Sequence, residues 1–373
     1  MTEWNQSGGD PRNSGRCDDL ESPTRPEEAW TAELRGPVRS SPVLDRDTVF
    51  VGTSEGDVHA VDSRTGHRRW VFETAAATEP SPVVTREFCY ACTTDGTLYA
   101  LDPSTGDERW QVDLEGPIDA SPTYVRTAAG FDAAGNFTAS RTDPDGVLYV
   151  GDSAGVVALE GTTGEELWRR ETEAPVVGSP AVDDGRVFVG RRDEAVTALD
   201  AETGEESWTA PTNGVLAGGP TIDGDGERAY AVDSEGLLVA LDAETGQTWF
   251  TYEIDGAFVD AAIVRDDSVF VPADDGHLHV TDTTFGRRKV RGLLFSKKGV
   301  RLDGIPRGAA LVGDVVCLGD SSGAFYAIDA DDPDFVWFVS LEAGVSSPPA
   351  VGDGRLYAGL EDGTLVCLSW RDD

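Results

Sequence analysis

The chain has 373 residues, and 68 Asp or Glu against 30 Lys or Arg give it a formal net charge of −38 at pH 7. This charge argues against nucleic acid or an anionic membrane surface as the main partner, because both bind through positive potential. No apolar run approaches the ~20 residues of a membrane span. The N-terminus also has no apolar stretch typical of a signal peptide, so we expect a cytoplasmic protein, with export open if the true start lies elsewhere.

Lysine is nearly absent from this acidic chain. The three that occur are Lys289, Lys297 and Lys298, and the other basic residues are Arg. An excess of carboxylates with so little Lys resembles the composition of proteins from salt-in halophiles, where molar salt screens charge over a few ångströms. We therefore expect folding to depend on high salt.

The first 27 residues are polar and rich in Gly, Pro, Asp and Arg. They show no hydrophobic periodicity, which predicts a disordered tail. A strand is predicted directly after it, over Glu28–Leu34, and a single domain over 28–373.

An internal repeat begins at this strand. Tryptophan recurs at intervals of 40, 40, 58, 40, 41 and 88 residues, the last interval holding two repeats. A period of about 40 residues is typical of propeller blades. The Trp residues are Trp30, Trp70, Trp110, Trp168, Trp208, Trp249 and Trp337.

Each repeat predicts four short strands with Gly-rich turns, which indicates an all-β fold. The third strand ends in a turn of the form Asp-x-x-Thr-Gly, as at Asp62–Gly66 and Asp102–Gly106. There Asp accepts backbone N–H groups and Gly takes the left-handed conformation. Eight third strands are predicted: 57–62, 97–102, 156–160, 195–200, 237–242, 277–282, 324–329 and 364–369. The last lacks a fourth strand, and the strand over 28–34 would supply it and close the ring.

The pattern Ala-x-Asp-x-x-Thr-Gly-x-x-x-Trp resembles the PQQ-like repeat family over about residues 28–370. This family includes quinoprotein alcohol dehydrogenases and the propeller lipoprotein of outer-membrane assembly machinery. The resemblance implies an eight-bladed β-propeller. It also implies that the seven repeated Trp side chains dock between adjacent blades over the small Ala.

Two segments depart from the repeat. The third repeat carries an insertion around 127–146, and the seventh repeat, counted from Trp30, lacks both its Trp and its Thr-Gly turn. The seventh repeat is basic between 287 and 307, with Asp303 as its single acid. A solvated surface and a docking patch for an acidic partner both fit this charge. The proposed patch consists of Arg287, Arg288, Lys289, Arg291, Lys297, Lys298 and Arg301.

The inner strands predict a channel with one charged half. Arg39, Glu79, Asp119 and Arg307 occupy equivalent positions near the start of these strands, together with the polar Ser346, whereas the other three repeats place Val or Ala there. If these side chains face the channel, they form a candidate ligand site. Cys89 and Cys92 are predicted to be small core residues. Two His lie on one strand without a third ligand, and one loop resembles only the first half of a calcium-binding loop. We therefore expect no metal site.

The family offers an enzyme and a scaffold. Its quinone enzymes hold pyrroloquinoline quinone (PQQ) and calcium in the channel, between a Trp floor and a disulfide of adjacent Cys. This sequence has no adjacent Cys pair, and the repeat uses seven of its nine Trp. We therefore predict a monomeric, non-catalytic scaffold without a cofactor that binds another protein. The alternative is a sensor or oxidoreductase that binds PQQ or another small molecule in the channel.

Overall fold

The computed structural model describes residues 4–126, 146–283, 289–291 and 297–370. These residues form eight sheets, antiparallel except for one added parallel strand in each of two, arranged as an eight-bladed β-propeller, which confirms the predicted fold class. Within the described ranges, no helix is long and apolar enough to cross a membrane. The insertion over 127–145, Arg287 and Arg288 lie outside the described residues.

Blades 1 to 4 follow one another along the chain, and each has four strands from the centre outward. Blade 1 comprises Val43–Asp45, Thr48–Gly52, Asp57–Asp62 and Arg68–Glu73. Blade 2 comprises Val83–Val84, Cys89–Cys92, Thr97–Leu101 and Glu108–Asp113. Blade 3 comprises Thr123–Arg126, Gly146–Gly151, Gly155–Glu160 and Glu166–Glu171. Blade 4 comprises Val176–Asp183, Arg186–Arg191, Ala195–Asp200 and Glu206–Pro211.

Blades 5 to 8 use the same order, with two additional strands. Blade 5 comprises Thr221–Ile222, Arg228–Val232, Leu237–Asp242 and Thr248–Glu253, with Lys289–Arg291 added outside. Blade 6 comprises Ile263–Arg265, Ser268–Pro272, His277–Asp282 and Lys297–Arg301. Blade 7 comprises Pro306–Val312, Val315–Asp320, Ala324–Asp329 and Phe335–Ser340, with Arg16–Cys17 added inside. Blade 8 comprises Ala350–Gly352, Arg355–Gly359, Thr364–Ser369 and Glu27–Glu33.

The repeated Trp links a blade to the next one around most of the ring. Trp30 of blade 8 packs on Gly66 of blade 1, where an added Cβ would lie 2.6 Å from the indole, and its Nε1 donates to the Ser63 carbonyl. Trp70 packs in the same way on Gly106. The turn glycine therefore serves two needs, a positive φ and room for the neighbouring indole. The same Trp-on-Gly contact is made by Trp110, Trp168 and Trp208.

Blade 5 corrects one predicted docking residue. The docking Trp lies opposite an Ala of the third strand in blades 1 to 4 and in blade 7. In blade 5 the residue opposite Ala240 is Phe250, and Trp249 lies one position earlier. The prediction for Trp249 is wrong because it followed the spacing between Trp residues. The spacing from the turn glycine, four residues in the other repeats, already points from Gly246 to Phe250.

The ring closes through the N-terminal strand, as predicted. Glu27–Glu33 pairs antiparallel with Thr364–Ser369, and Trp30 lies opposite Cys367. No covalent turn joins these two strands. The chain before the closing strand replaces that turn, since the Pro23 carbonyl accepts a hydrogen bond from Nε1 of Trp337 in blade 7.

The predicted disordered tail over 1–27 is instead packed on the propeller over its described part, from residue 4 onward. Trp4 is 2% exposed, and Arg16–Cys17 pairs parallel with the inner strand of blade 7. The segment follows one mouth of the channel, and its carbonyl groups accept hydrogen bonds from first-strand N–H groups. The donors, from blades 1, 2, 4, 5 and 7, are Leu44, Val84, Val182, Ile222 and Leu311.

Blade 6 has a different fourth strand from the predicted one. The spacing from turn glycine to docking residue in the other repeats would place this strand near Val290, four residues after Gly286. In the structure, Lys297–Arg301 pairs with His277–Asp282, whereas Lys289–Arg291 pairs parallel with the outer strand of blade 5. This repeat keeps the turn glycine position at Gly286, but it has lost its Trp and has Phe285 in place of the turn Thr, so the glycine alone did not fix the register.

Candidate functional site

A central cavity of about 320 Å³ lies between the first strands of the blades. Arg39, Glu79 and Asp119, which the sequence placed on the channel wall, line it. The fourth predicted residue, Arg307, is not among the lining residues. The opposite wall holds Ala217 with Gly178, Gly218 and Gly219, but Asp260 also lines the cavity on the side that was predicted to be apolar.

The charged side chains of the wall bind one another. Nη1 of Arg39 lies 3.1 Å from Oε1 of Glu79, and Nη2 of Arg192 lies 3.2 Å from Oδ2 of Asp119. Both pairs are about half exposed, so each contributes little to stability. These carboxylates are therefore already neutralised by neighbouring guanidinium groups.

Serine residues connect the blades beneath this charged layer. The N–H of Ser41 donates to Oγ of Ser81 at 2.8 Å, and the N–H of Ser81 donates to Oγ of Ser121 at 2.9 Å. All three residues line the cavity. Their hydroxyl groups hold the inner strands of blades 1, 2 and 3 in register, which gives them a structural role.

Asp260 is a lining residue that the sequence analysis missed. Burial raises the pKa of its carboxyl group to about 6, while its hydrogen bond from the Ala261 N–H and the charge of Arg307 act in the opposite direction. Arg307 therefore acts near the cavity through Asp260. The signal in the sequence was an Asp one residue after the channel position, where other repeats have a small residue or Pro.

The N-terminal segment forms the floor of the cavity. Ser7, Gly8, Asn13 and Gly15 line it from that side. Asn13 is 6% exposed, and its Nδ2 donates to the carbonyls of Ser179, Pro180 and Pro220. The segment binds the first strands about five residues further along the chain than the charged positions. It therefore closes the mouth of the channel opposite to Arg39.

The lining does not fit a stacked quinone and its metal. None of the lining residues is aromatic. In the described ranges, no three His, Cys, Asp or Glu side chains group as metal ligands would. Cys89 and Cys92 are free and buried in the second strand of blade 2, and burial raises the pKa of the Cys89 thiol to about 12. They are packing residues, as predicted from their place in the repeat.

The basic segment extends over two neighbouring blades. Lys289–Arg291 lies on the outer edge of blade 5, and Lys297–Arg301 forms the outer strand of blade 6. The Arg301 side chain is exposed. The described strands of the predicted patch therefore lie at the outer edges of these two blades.

The outer strand of blade 7 carries an apolar patch that the sequence analysis also missed. Phe335 is 44% exposed, Val336 50% and Phe338 59%. Across Phe335–Val339 this strand consists only of apolar residues, whereas the outer strands of blades 1 to 4 are interrupted by charged residues. That difference in composition was the available signal.

Comparisons with known proteins agree with this geometry. A family model described as "Outer membrane protein assembly factor BamB" matches residues 24–130, 126–217, 193–290 and 291–372. No curated protein matches the chain.

Several solved structures share the fold. BamB from Moraxella catarrhalis superposes with a TM-score of 0.73 at 19% identity, covering 93% of this chain and 98% of that one. The computationally designed Ika8 protein gives 0.72 at 18% identity, with 92% and 99% covered. Quinohemoprotein alcohol dehydrogenase from Comamonas testosteroni gives 0.73 at 16% identity, with 99% and 80% covered. At these identities the similarity shows the fold alone, and the fold is common to scaffolds and enzymes.

Proposed function

Because this chain belongs to the BamB family of PQQ-like propellers, we propose that it is a non-catalytic scaffold that binds another protein on its outer surface. The observation that carries this proposal is the state of the channel. One mouth is closed by the N-terminal segment, and the charged wall residues Arg39, Glu79 and Asp119 are paired within the protein.

A stacked cofactor needs a flat apolar floor, and this cavity offers hydroxyl groups, carboxylates and glycine backbone instead. Aromatic stacking supplies much of the affinity for flat ligands. The described lining thus offers no group on which a quinone would stack, and we do not propose PQQ with calcium as a resident cofactor.

The rim offers two surfaces for a partner. One is the basic segment on blades 5 and 6, which stands out in a chain of net charge −38 and suits an acidic partner surface. The other is the apolar outer strand of blade 7, on the next blade. Exposed apolar groups on an otherwise charged surface are typical of sites of association.

The second candidate function is binding of a small molecule in the channel. Asp260 favours it, because a half-buried carboxyl group with a pKa of about 6 beside a cavity can exchange a proton near neutral pH. Its ligand would enter past Arg39 and Glu79 and would have to compete with their ion pair.

Charge reversal of the basic segment tests the scaffold proposal. Replacing Arg287, Arg288, Lys289 and Arg291 by Glu should abolish recovery of crosslinked partner from the cells that naturally make this chain. The matched control replaces four exposed arginines elsewhere by Glu: Arg25, Arg64, Arg68 and Arg86. Circular dichroism checks that both variants stay folded, and undiminished recovery with the first variant would contradict the patch.

A further inference from the structure

The outer strand of blade 7 has a surface unlike that of the equivalent strands. The two residues before the docking Trp are Phe335 and Val336, and both are exposed. In blades 1 to 4 the same two positions hold Arg-Arg, Glu-Arg, Glu-Leu and Glu-Ser. Charged residues on edge strands prevent unwanted pairing with other chains. Blade 7 lacks this protection within the strand.

A β-bulge joins the exposed rings into one surface. The register shifts between Ala327 and Ile328, so that Ile328 lies opposite Phe335 and Tyr326 lies opposite Phe338. Phe335 and Phe338 therefore lie on the same face, and the rings of Tyr326 and Phe335 are 5.5 Å apart. Burying a Phe side chain that is now exposed removes apolar surface from water, so covering this row is favourable.

The edge of the same strand is free to pair. Phe335–Ser340 ends its sheet, and within the described chain no further strand pairs with its outer side. Alternate N–H and C=O groups on such an edge can bind an added strand. This propeller already contains an example, because Lys289–Arg291 adds in parallel to the outer strand of blade 5.

The charges at the two ends of the strand indicate what would pair with it. Asp331, Asp332 and Asp334 precede it, Glu342 follows it, and all four are exposed. A second copy of this strand paired edge to edge would bring these acids together in two chains of net charge −38 each. Like charges directly opposite one another destabilise a sheet, so the charges favour a different chain with basic ends.

From this geometry we propose that the outer strand of blade 7 binds an extended segment of another protein, which adds as a further β-strand. Apolar side chains of that segment cover Phe335 and Phe338, and Lys or Arg at its ends lies beside Asp334 and Glu342. The proposal rests on the scaffold function and assigns it a docking edge. An acidic partner surface bound by the basic segment on blades 5 and 6 would be a separate contact from this strand.

Peptide binding to the intact chain tests the proposal. The probe is a fluorescent peptide with alternating Val and Thr and two Lys at each end. Comparison peptides carry Glu at the ends, or keep Lys but have N-methyl groups at alternate positions, which block strand pairing and preserve charge. We expect the Lys peptide to bind about tenfold more tightly than either comparison peptide.

Two variants test whether the peptide binds on blade 7. V336S/F338S should weaken this binding about tenfold, and the matched control L167S, at a residue 52% exposed on blade 3, should leave it unchanged. Equal binding of the N-methylated peptide, or full binding by V336S/F338S, would overturn the proposal. So would a dimer of the chain that V336S/F338S dissociates, since a second copy would then occupy the edge. If V336S/F338S lost the peptide but still recovered the crosslinked partner, this docking edge would be wrong and the scaffold function would be retained.

Discussion

Phe250 lies opposite Ala240 in blade 5 and is 2% exposed, in the position that Trp occupies in most other blades. Trp249, one residue earlier, is only partly buried, and the guanidinium carbon of Arg228 lies 4.7 Å from its ring centroid. The side chain that seals the junction of blades 5 and 6 is therefore the Phe.

The substitution Phe250→Ala should lower the free energy of unfolding by about 3–5 kcal/mol, because it leaves a cavity in the core between two blades. Trp249→Ala removes a partly buried indole that packs beside this core and contacts Arg228, and should cost less, about 1–2 kcal/mol. Denaturant titration in concentrated KCl measures both. A larger loss for Trp249→Ala would contradict the register.

Asn13 should be the residue of the N-terminal segment most sensitive to substitution. Asn13→Asp replaces an amide donor by a carboxylate facing the carbonyls of Ser179, Pro180 and Pro220. We expect a loss of about 2 kcal/mol or more. Asn5 makes a single described side-chain hydrogen bond, from its Nδ2 to the Val84 carbonyl. Asn5→Asp should therefore cost less, about 1 kcal/mol. Equal stability of the Asn13 variant and the parent chain in thermal unfolding would show that the segment is not docked.

His59 should make the propeller sensitive to acid. It is 4% exposed, and burial, followed by the charges of Arg68 and Arg35, lowers its pKa from 6.5 to about 4. Below pH 6.5 the unfolded chain takes up a proton that the folded chain does not bind until about pH 4. The free energy of unfolding therefore falls across this range, by about 3 kcal/mol from this residue.

His59→Gln should remove that part of the acid sensitivity, and His67→Gln, at an exposed position, should not. The measurement is the difference in unfolding free energy between parent and variant at pH 7 and at pH 4. A difference that stays constant with pH would disprove the role of His59.

Salt should stabilise the fold. At a net charge of −38, carboxylates repel one another unless ions screen them. We expect the melting temperature to rise steadily between 0.1 and 3 M KCl. A melting temperature that does not change with KCl would rule out the halophilic interpretation of the composition.

The ring could be predicted from the sequence because its signals repeat in register: the turn Asp, the turn Gly and the docking Trp. The N-terminal segment could not, because it binds the first strands mainly through its own carbonyl groups, which leave no side-chain pattern. The fourth strand of blade 6 was misplaced for a related reason, because this repeat has lost its Trp and its Thr-Gly pair. At the candidate site, Arg39, Glu79 and Asp119 were found by their repeat position, whereas Asp260 and the bulge that aligns Phe335 with Phe338 depend on local geometry.

Calorimetric titration with PQQ and calcium in concentrated KCl tests the absence of channel catalysis most directly. We predict no heat of binding, because no described residue of the cavity lining is aromatic and Arg39, Glu79 and Asp119 already form ion pairs within the protein. Saturable heat with one site per chain, lost on substitution of Asp119 or Asp260, would contradict it and restore the channel as the functional site.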